Sequence, residues 1–184
     1  MKRHKFWAAV GMALAFLAPV IAVVTAPSAH AQTYSVLYSF NGKHGETPQA
    51  GLIQGKSGNL RGTTFGGGRY GAGTVFELKT NGKEKVLYSF TNGADGGDPE
   101  ASLVRDSAGN LYGTTRYGGA YSYYGVVFKL DTTGAETVLY SFTGAADGAI
   151  PDAGLVRDKA GNLYGTTSYG GSYDDGVVFK ITPQ

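Results

Sequence analysis

The chain has 184 residues, 30 of them glycine and none cysteine, and a formal net charge of +2. The lack of cysteine excludes a disulfide framework, a thiolate metal site, a Cys nucleophile and lipid attachment through an N-terminal Cys. The basic excess lies within the first five residues, so it gives no argument for nucleic acid, where phosphate neutralisation dominates affinity.

Residues 1–31 read as a secretory signal peptide. Lys2, Arg3, His4 and Lys5 form a positive start, residues 6–24 are apolar and uncharged, and Ala29-His30-Ala31 supplies the small-x-small cleavage pattern. The alternative is an N-terminal membrane anchor, since the apolar run with its flanks is long enough to span. Pro27, Ser28 and the cleavage pattern argue against it. Cleavage after Ala31 leaves residues 32–184 as one domain with 13 basic and 14 acidic residues. The expectation is a secreted, periplasmic or cell-surface protein with no membrane segment after cleavage and no nucleic-acid partner. Glycine makes up about 19% of this part, far above the usual share of about 7%, which predicts tight turns and little helix.

The remaining chain is three copies of one unit. Val-Leu-Tyr-Ser-Phe stands at 36–40, 86–90 and 138–142. Gly51-Leu-Ile recurs as Ser102-Leu-Val and Gly154-Leu-Val, and Gly-Asn-Leu-x-Gly-Thr-Thr begins at Gly58, Gly109 and Gly161. A fourth block, ending in Val-Phe, begins at Gly73, Gly125 and Gly176. The units span 36–78, 86–130 and 138–181, and four blocks in constant order mark a tandem repeat.

Each block reads as a strand. Val138, Tyr140 and Phe142 share one face by period two, as do Val177, Phe179 and Ile181. Asp106-Ser-Ala-Gly-Asn and Asp158-Lys-Ala-Gly-Asn are hairpin turns, and Asn81-Gly82 is a two-residue hairpin signal. Four short strands per unit predict an all-β, propeller-like array of three four-stranded blades. With strands lettered a to d from the inside out, each unit runs d-a-b-c and the Val-Leu-Tyr-Ser-Phe strand is d. Three blades give too little circumference to close a ring. The open possibilities are a six-bladed ring from a head-to-tail homodimer, an open array, or a piece of a longer one.

The motifs Gly154-Leu-Val, Gly161-Asn-Leu-Tyr-Gly-Thr-Thr, Gly170-Gly171 and Gly176-Val-Val-Phe, with their earlier copies, resemble the GloVer tandem repeat of bacterial "choice-of-anchor" proteins. The resemblance covers essentially all of residues 32–184. It implies an extracellular bacterial protein with propeller-like repeats and brings no catalytic residues with it. Such proteins often carry a C-terminal anchoring segment, and none is visible before Gln184. The first copy departs at Arg61, where the others have Tyr112 and Tyr164, and at Gly66, where they have Tyr117 and Tyr169.

Two loop classes emerge at one end of up-and-down blades and hold the candidate sites. The d-to-a loops carry Asp95, Asp98 and Glu100, then Asp147 and Asp152, while the first copy has His44 and Glu46. Clustered carboxylates suit Ca²⁺, so Asp95, Asp98, Asp147 and Asp152 are the metal candidates. The plainer reading is turn chemistry, with Pro48, Pro99 and Pro151 stiffening the connection. The b-to-c loops carry Tyr117, Tyr121, Tyr123, Tyr124, Tyr169 and Tyr173, with Tyr70 in the first copy. Exposed Tyr rings stack on a sugar or a partner protein, and otherwise pack as core between blades.

Tempting catalytic motifs fail. Gly66-x-Gly68-x-x-Gly71 lacks the following helix a dinucleotide fold needs, and Gly55-Lys56-Ser57 lacks the upstream glycine of a P-loop. Thr114-Thr115 and Thr166-Thr167 have no activating base beside them in sequence. His44 is the single histidine after cleavage, which excludes a multi-histidine zinc site. The expectation is a non-enzymatic binding or scaffold module for a glycan or an extracellular protein, without an obligatory cofactor. The competing reading is a carboxylate-dependent glycan-active enzyme.

Overall fold

The structure, a computed structural model, describes residues 32–183. The signal peptide expected over 1–31 lies outside them. Among the described residues, strands form three antiparallel sheets and no helix occurs. The first sheet contains β1 (Ile53–Gln54), β2 (Leu60–Thr64), β3 (Thr74–Leu78) and β4 (Glu84–Ser89). The second contains β5 (Val104–Arg105), β6 (Leu111–Thr115), β7 (Val126–Leu130) and β8 (Glu136–Ser141). The third contains β9 (Val156–Arg157), β10 (Leu163–Thr166) and β11 (Val178–Ile181). Strands adjacent in sequence are adjacent in the sheet throughout.

This corrects the expected strand count: two sheets have four strands and the third has three. The order within each sheet is the expected a-b-c-d, with d supplied by the opening block of the next unit and absent from the third sheet. Residues 36–40 form no strand, although their sequence repeats in β4 and β8. A strand is defined by its ladder, and β4 and β8 have β3 and β7 beside them. The Val-Leu-Tyr-Ser-Phe block therefore opens a sequence unit but closes a sheet.

The turns form where the sequence places them. Asp106 accepts hydrogen bonds from the Gly109 and Asn110 N–H groups (2.8 and 2.9 Å), the Asn110 side chain (2.7 Å) and the Tyr112 hydroxyl (3.0 Å). Asp158, Asn162 and Tyr164 repeat this cluster. The first copy has Gly55 where the Asp stands, so a tyrosine there would have no acceptor. Arg61 instead pairs with Glu77 across β2 and β3 at 2.7 Å. At Asn81-Gly82 the loop is one residue longer than expected: Lys79 and Lys83 close three residues, and Gly82 takes a φ of 78°. The strict alternation read for Val-Leu-Tyr-Ser-Phe also fails. The ladder shifts register between Val75 and Phe76 and between Val127 and Phe128, so Leu87 and Leu139 are bulged.

The core lies between sheets. Val75, Phe90, Leu103, Leu111, Val126 and Phe128 pack at the first junction, and Val127, Phe142, Leu155 and Leu163 at the second. One aromatic contact recurs at each step. Phe40 packs edge-on against Phe76, Phe90 against Phe128 and Phe142 against Phe179, at 5.0 to 5.2 Å between centroids. Gly113 makes this approach possible, because a Cβ there would lie 2.7 Å from the Phe128 ring and 2.9 Å from Leu103.

Candidate binding face

The two loop classes are joined by backbone hydrogen bonds at one end of the sheets. Glu46 and Gly66 exchange two such bonds, as do Gly97 and Tyr117, and Ala149 and Tyr169, all between 2.8 and 3.2 Å. Gly118 begins the turn that lifts the tyrosines. It has a φ of 79°, and a Cβ there would stand 2.6 Å from the Gly96 Cα, so no larger residue fits. The Thr115 hydroxyl donates to the Tyr117 carbonyl (2.9 Å) and accepts from the Val126 N–H (3.2 Å). Thr64 and Thr167 make the equivalent bonds. The paired threonines thus clamp the loop ends, which accounts for their recurrence.

The residue before each loop proline is strained. Thr47, Asp98 and Ile150 have φ of 55°, 54° and 58°, a region that Asp tolerates but that the β-branched Thr47 and Ile150 rarely enter. Neighbouring loops hold this geometry. The Asp98 N–H donates to the Ala72 carbonyl (2.9 Å), and its carbonyl accepts from the Arg116 N–H (3.2 Å). Ile150 is held in the same way by Tyr124 and Ser168. The face is therefore a preformed, cross-linked platform.

Tyr121, Tyr123, Tyr124, Tyr169 and Tyr173 are exposed on it, as is Tyr70 of the first copy. Tyr117 differs from the rest of the candidate set: it is half-buried, with the Arg116 guanidinium 5.3 Å above its ring. Arg116 also donates to both Glu100 oxygens (3.0 and 2.9 Å) and stands 3.7 Å from Asp152.

Two of the acidic candidates, Asp95 and Asp147, are engaged by their own loop and the strand that leads into it. Asp95 accepts from the Tyr88 hydroxyl (3.0 Å), the Thr91 N–H (3.0 Å) and the Thr91 hydroxyl. Asp147 does the same with Tyr140 and Thr143. Burial would raise the Asp147 carboxyl, but the Thr143 and Tyr140 hydrogen bonds outweigh it and hold it below the usual range. Burial and neighbouring Glu100 push Asp98 up, against the Arg116 charge. Asp152 accepts from the Ser168 hydroxyl at 3.1 Å. Among the described residues no three His, Asp or Glu side chains are placed to hold a metal ion.

Two carboxylates escaped the sequence reading. Glu84 is buried 3.2 Å from His44 Nδ1, near the Tyr38 hydroxyl. Glu136, its equivalent in the second sheet, has a buried oxygen without a hydrogen-bond partner. Burial, and then the Asp95 charge, push it up to about 7. Each opens a strand, where a Glu ordinarily faces water. The group set against it, His44 for Glu84 and Asp95 for Glu136, comes from the loop that precedes its own sheet, which local sequence does not reveal.

Residues 23–184 match a family described as the Gloeobacter/Verrucomicrobia repeat. No curated protein matches the chain in sequence. Two solved structures are similar to parts of it. A candidate gluconolactonase is 16% identical, with a TM-score of 0.40 over 72% of this chain and 47% of its own. A luciferin-regenerating enzyme is 16% identical, with a TM-score of 0.45 over 72% of this chain and 41% of its own. The chain thus spans less than half the length of either structure.

Proposed function

We propose that this chain, which belongs to the Gloeobacter/Verrucomicrobia repeat family, is an exported, propeller-like repeat module that binds without catalysis through its tyrosine-bearing face. The observation that carries the reading is the set of exposed rings on the β6–β7 and β10–β11 loops, Tyr121, Tyr123, Tyr124, Tyr169 and Tyr173. Core tyrosines would be covered, and these are not. Tyr offers a flat apolar face with a polar tip and few side-chain torsions to fix, which suits stacking on a sugar ring. The loops beneath are already hydrogen-bonded, which lowers the ordering cost of binding. The ligand class this chemistry favours is an extracellular glycan, and an extracellular protein is the other surface it would fit.

A glycan array followed by a turnover assay on the hits tests the reading. Binding should survive Asp98→Asn and Asp152→Asn and be lost on Tyr121→Ala or Tyr173→Ala. The competing reading, a carboxylate-dependent glycan-active enzyme, draws support from Asp98, a carboxyl raised by burial beside Glu100. Turnover that disappears with Asp98→Asn would replace the binding reading by that one.

A further inference from the structure

The two outer sheets expose complementary halves of a junction that the molecule builds twice inside itself. On the side facing the following sheet, Val75 and Val127 are both 0% exposed, while Val178 at the same position of the third sheet is 82% exposed. Thr63 and Thr114 are buried there too, and their hydroxyls reach the Ala101 and Ala153 carbonyls of the following loop. Thr166, their equivalent, is exposed, as is Val156. On the side facing the preceding sheet the pattern is reversed. Leu103 and Leu155 are 2% and 5% exposed, while Leu52 of the first sheet is 53% exposed.

The strand inventory has the same complementarity. Beside β11 runs a groove of about 330 Å³, lined by Tyr140, Phe142 and Asp147 on one wall and by Val178, Phe179 and Ile181 on the other. In the first two sheets the edges equivalent to β11 are covered by β4 and β8. Residues 36–40 repeat the sequence of those covering strands yet have no ladder, and Val36 and Leu37 are exposed. Phe40 nevertheless sits on Phe76 as Phe90 sits on Phe128. The segment thus already occupies, against the first sheet, the place of a preceding sheet's last strand.

We propose that a second copy of this chain docks head to tail, its residues 36–40 forming the fourth strand of the third sheet and its Leu52 covering Val178. An unpaired strand edge beside an apolar groove recruits a strand of matching pattern, and the best match is the one the fold already uses twice. The contact is heterologous, and two copies satisfy both ends by closing on each other as six sheets. This inference is independent of the tyrosine face.

The test uses sedimentation equilibrium of the chain after signal cleavage, residues 32–184, and two variants at exposed positions, Leu52→Asp and Val178→Asp. The wild type should sediment at twice the chain mass across the micromolar range. Every head-to-tail contact uses one Leu52 and one Val178, so each variant alone should be monomeric. A mixture of the two retains one intact pair of surfaces and should form a one-to-one dimer. A monomeric wild type would overturn the proposal. So would a dimer that survives either variant, or a mixture that stays monomeric. Unchanged circular dichroism of each variant would show that loss of the dimer is not loss of the fold.

Discussion

The ring of Phe90, just past the end of β4, stands 5.1 Å from the ring of Phe128 on β7, at an interplanar angle of 66°. Both rings are fully buried, and they join two sheets that share no ladder. Phe90→Ala removes the contact and leaves a cavity that flanking strands cannot fill without giving up their own pairing. The expected loss is about 3–5 kcal/mol, read from the denaturant midpoint. Phe90→Leu, which keeps most of the volume, should cost clearly less.

Gly113→Ala should be nearly as informative, for the opposite reason. The added methyl would be driven into the Phe128 ring and Leu103, a steric conflict costing about 1–3 kcal/mol. Gly154→Ala is the control, because its Cβ would meet only ordinary contacts at 3.5 to 3.8 Å. It should change stability by about 0.5 kcal/mol or less. Thermal melts of the two variants check the contrast.

Glu136 predicts an inverted pH dependence. Its carboxyl is raised to about 7 in the folded chain, so the folded state holds a proton that the unfolded state has released. Its contribution is present below the ordinary Glu range and is lost as pH rises towards 7. The group is half exposed, so the effect after solvent screening is about 1 kcal/mol. Glu136→Gln should raise the melting temperature at pH 8, change it little at pH 4, and flatten the profile between.

Export is the remaining expectation. Mass spectrometry of the protein from the culture medium or periplasm should find Gln32 at the mature N-terminus, as the Ala29-His30-Ala31 pattern predicts. A soluble cytoplasmic protein that keeps Met1 would contradict it.

The repeat, the all-β class and the hairpins at Asp106 and Asp158 were legible because each depends on residues near one another in sequence. The tyrosine loops were legible for the same reason: Gly118-Gly119 and Gly170-Gly171 announce a turn wherever they stand. What failed depended on a neighbour. Residues 36–40 and 138–142 have the same sequence, but only the second lies beside a strand it can pair with. The bulges at Leu87 and Leu139 break an alternation that the residue pattern alone would continue. Glu136 reads as a surface residue until the loop bearing Asp95 is set against it.

The offset between the sequence period and the sheets has a genetic consequence. Each junction is built on a contact between the opening block of a sequence unit and the body of that same unit, and Phe76, Phe128 and Phe179 present the same ring to whichever block opens it. Deleting residues 91–142 would bring Phe90 to Phe179 in place of Phe142, and would set Ile150 on the Ala72 carbonyl where Asp98 now sits. Unequal recombination between the copies would therefore lengthen or shorten the array by whole sheets, leaving no seam that selection would have to repair.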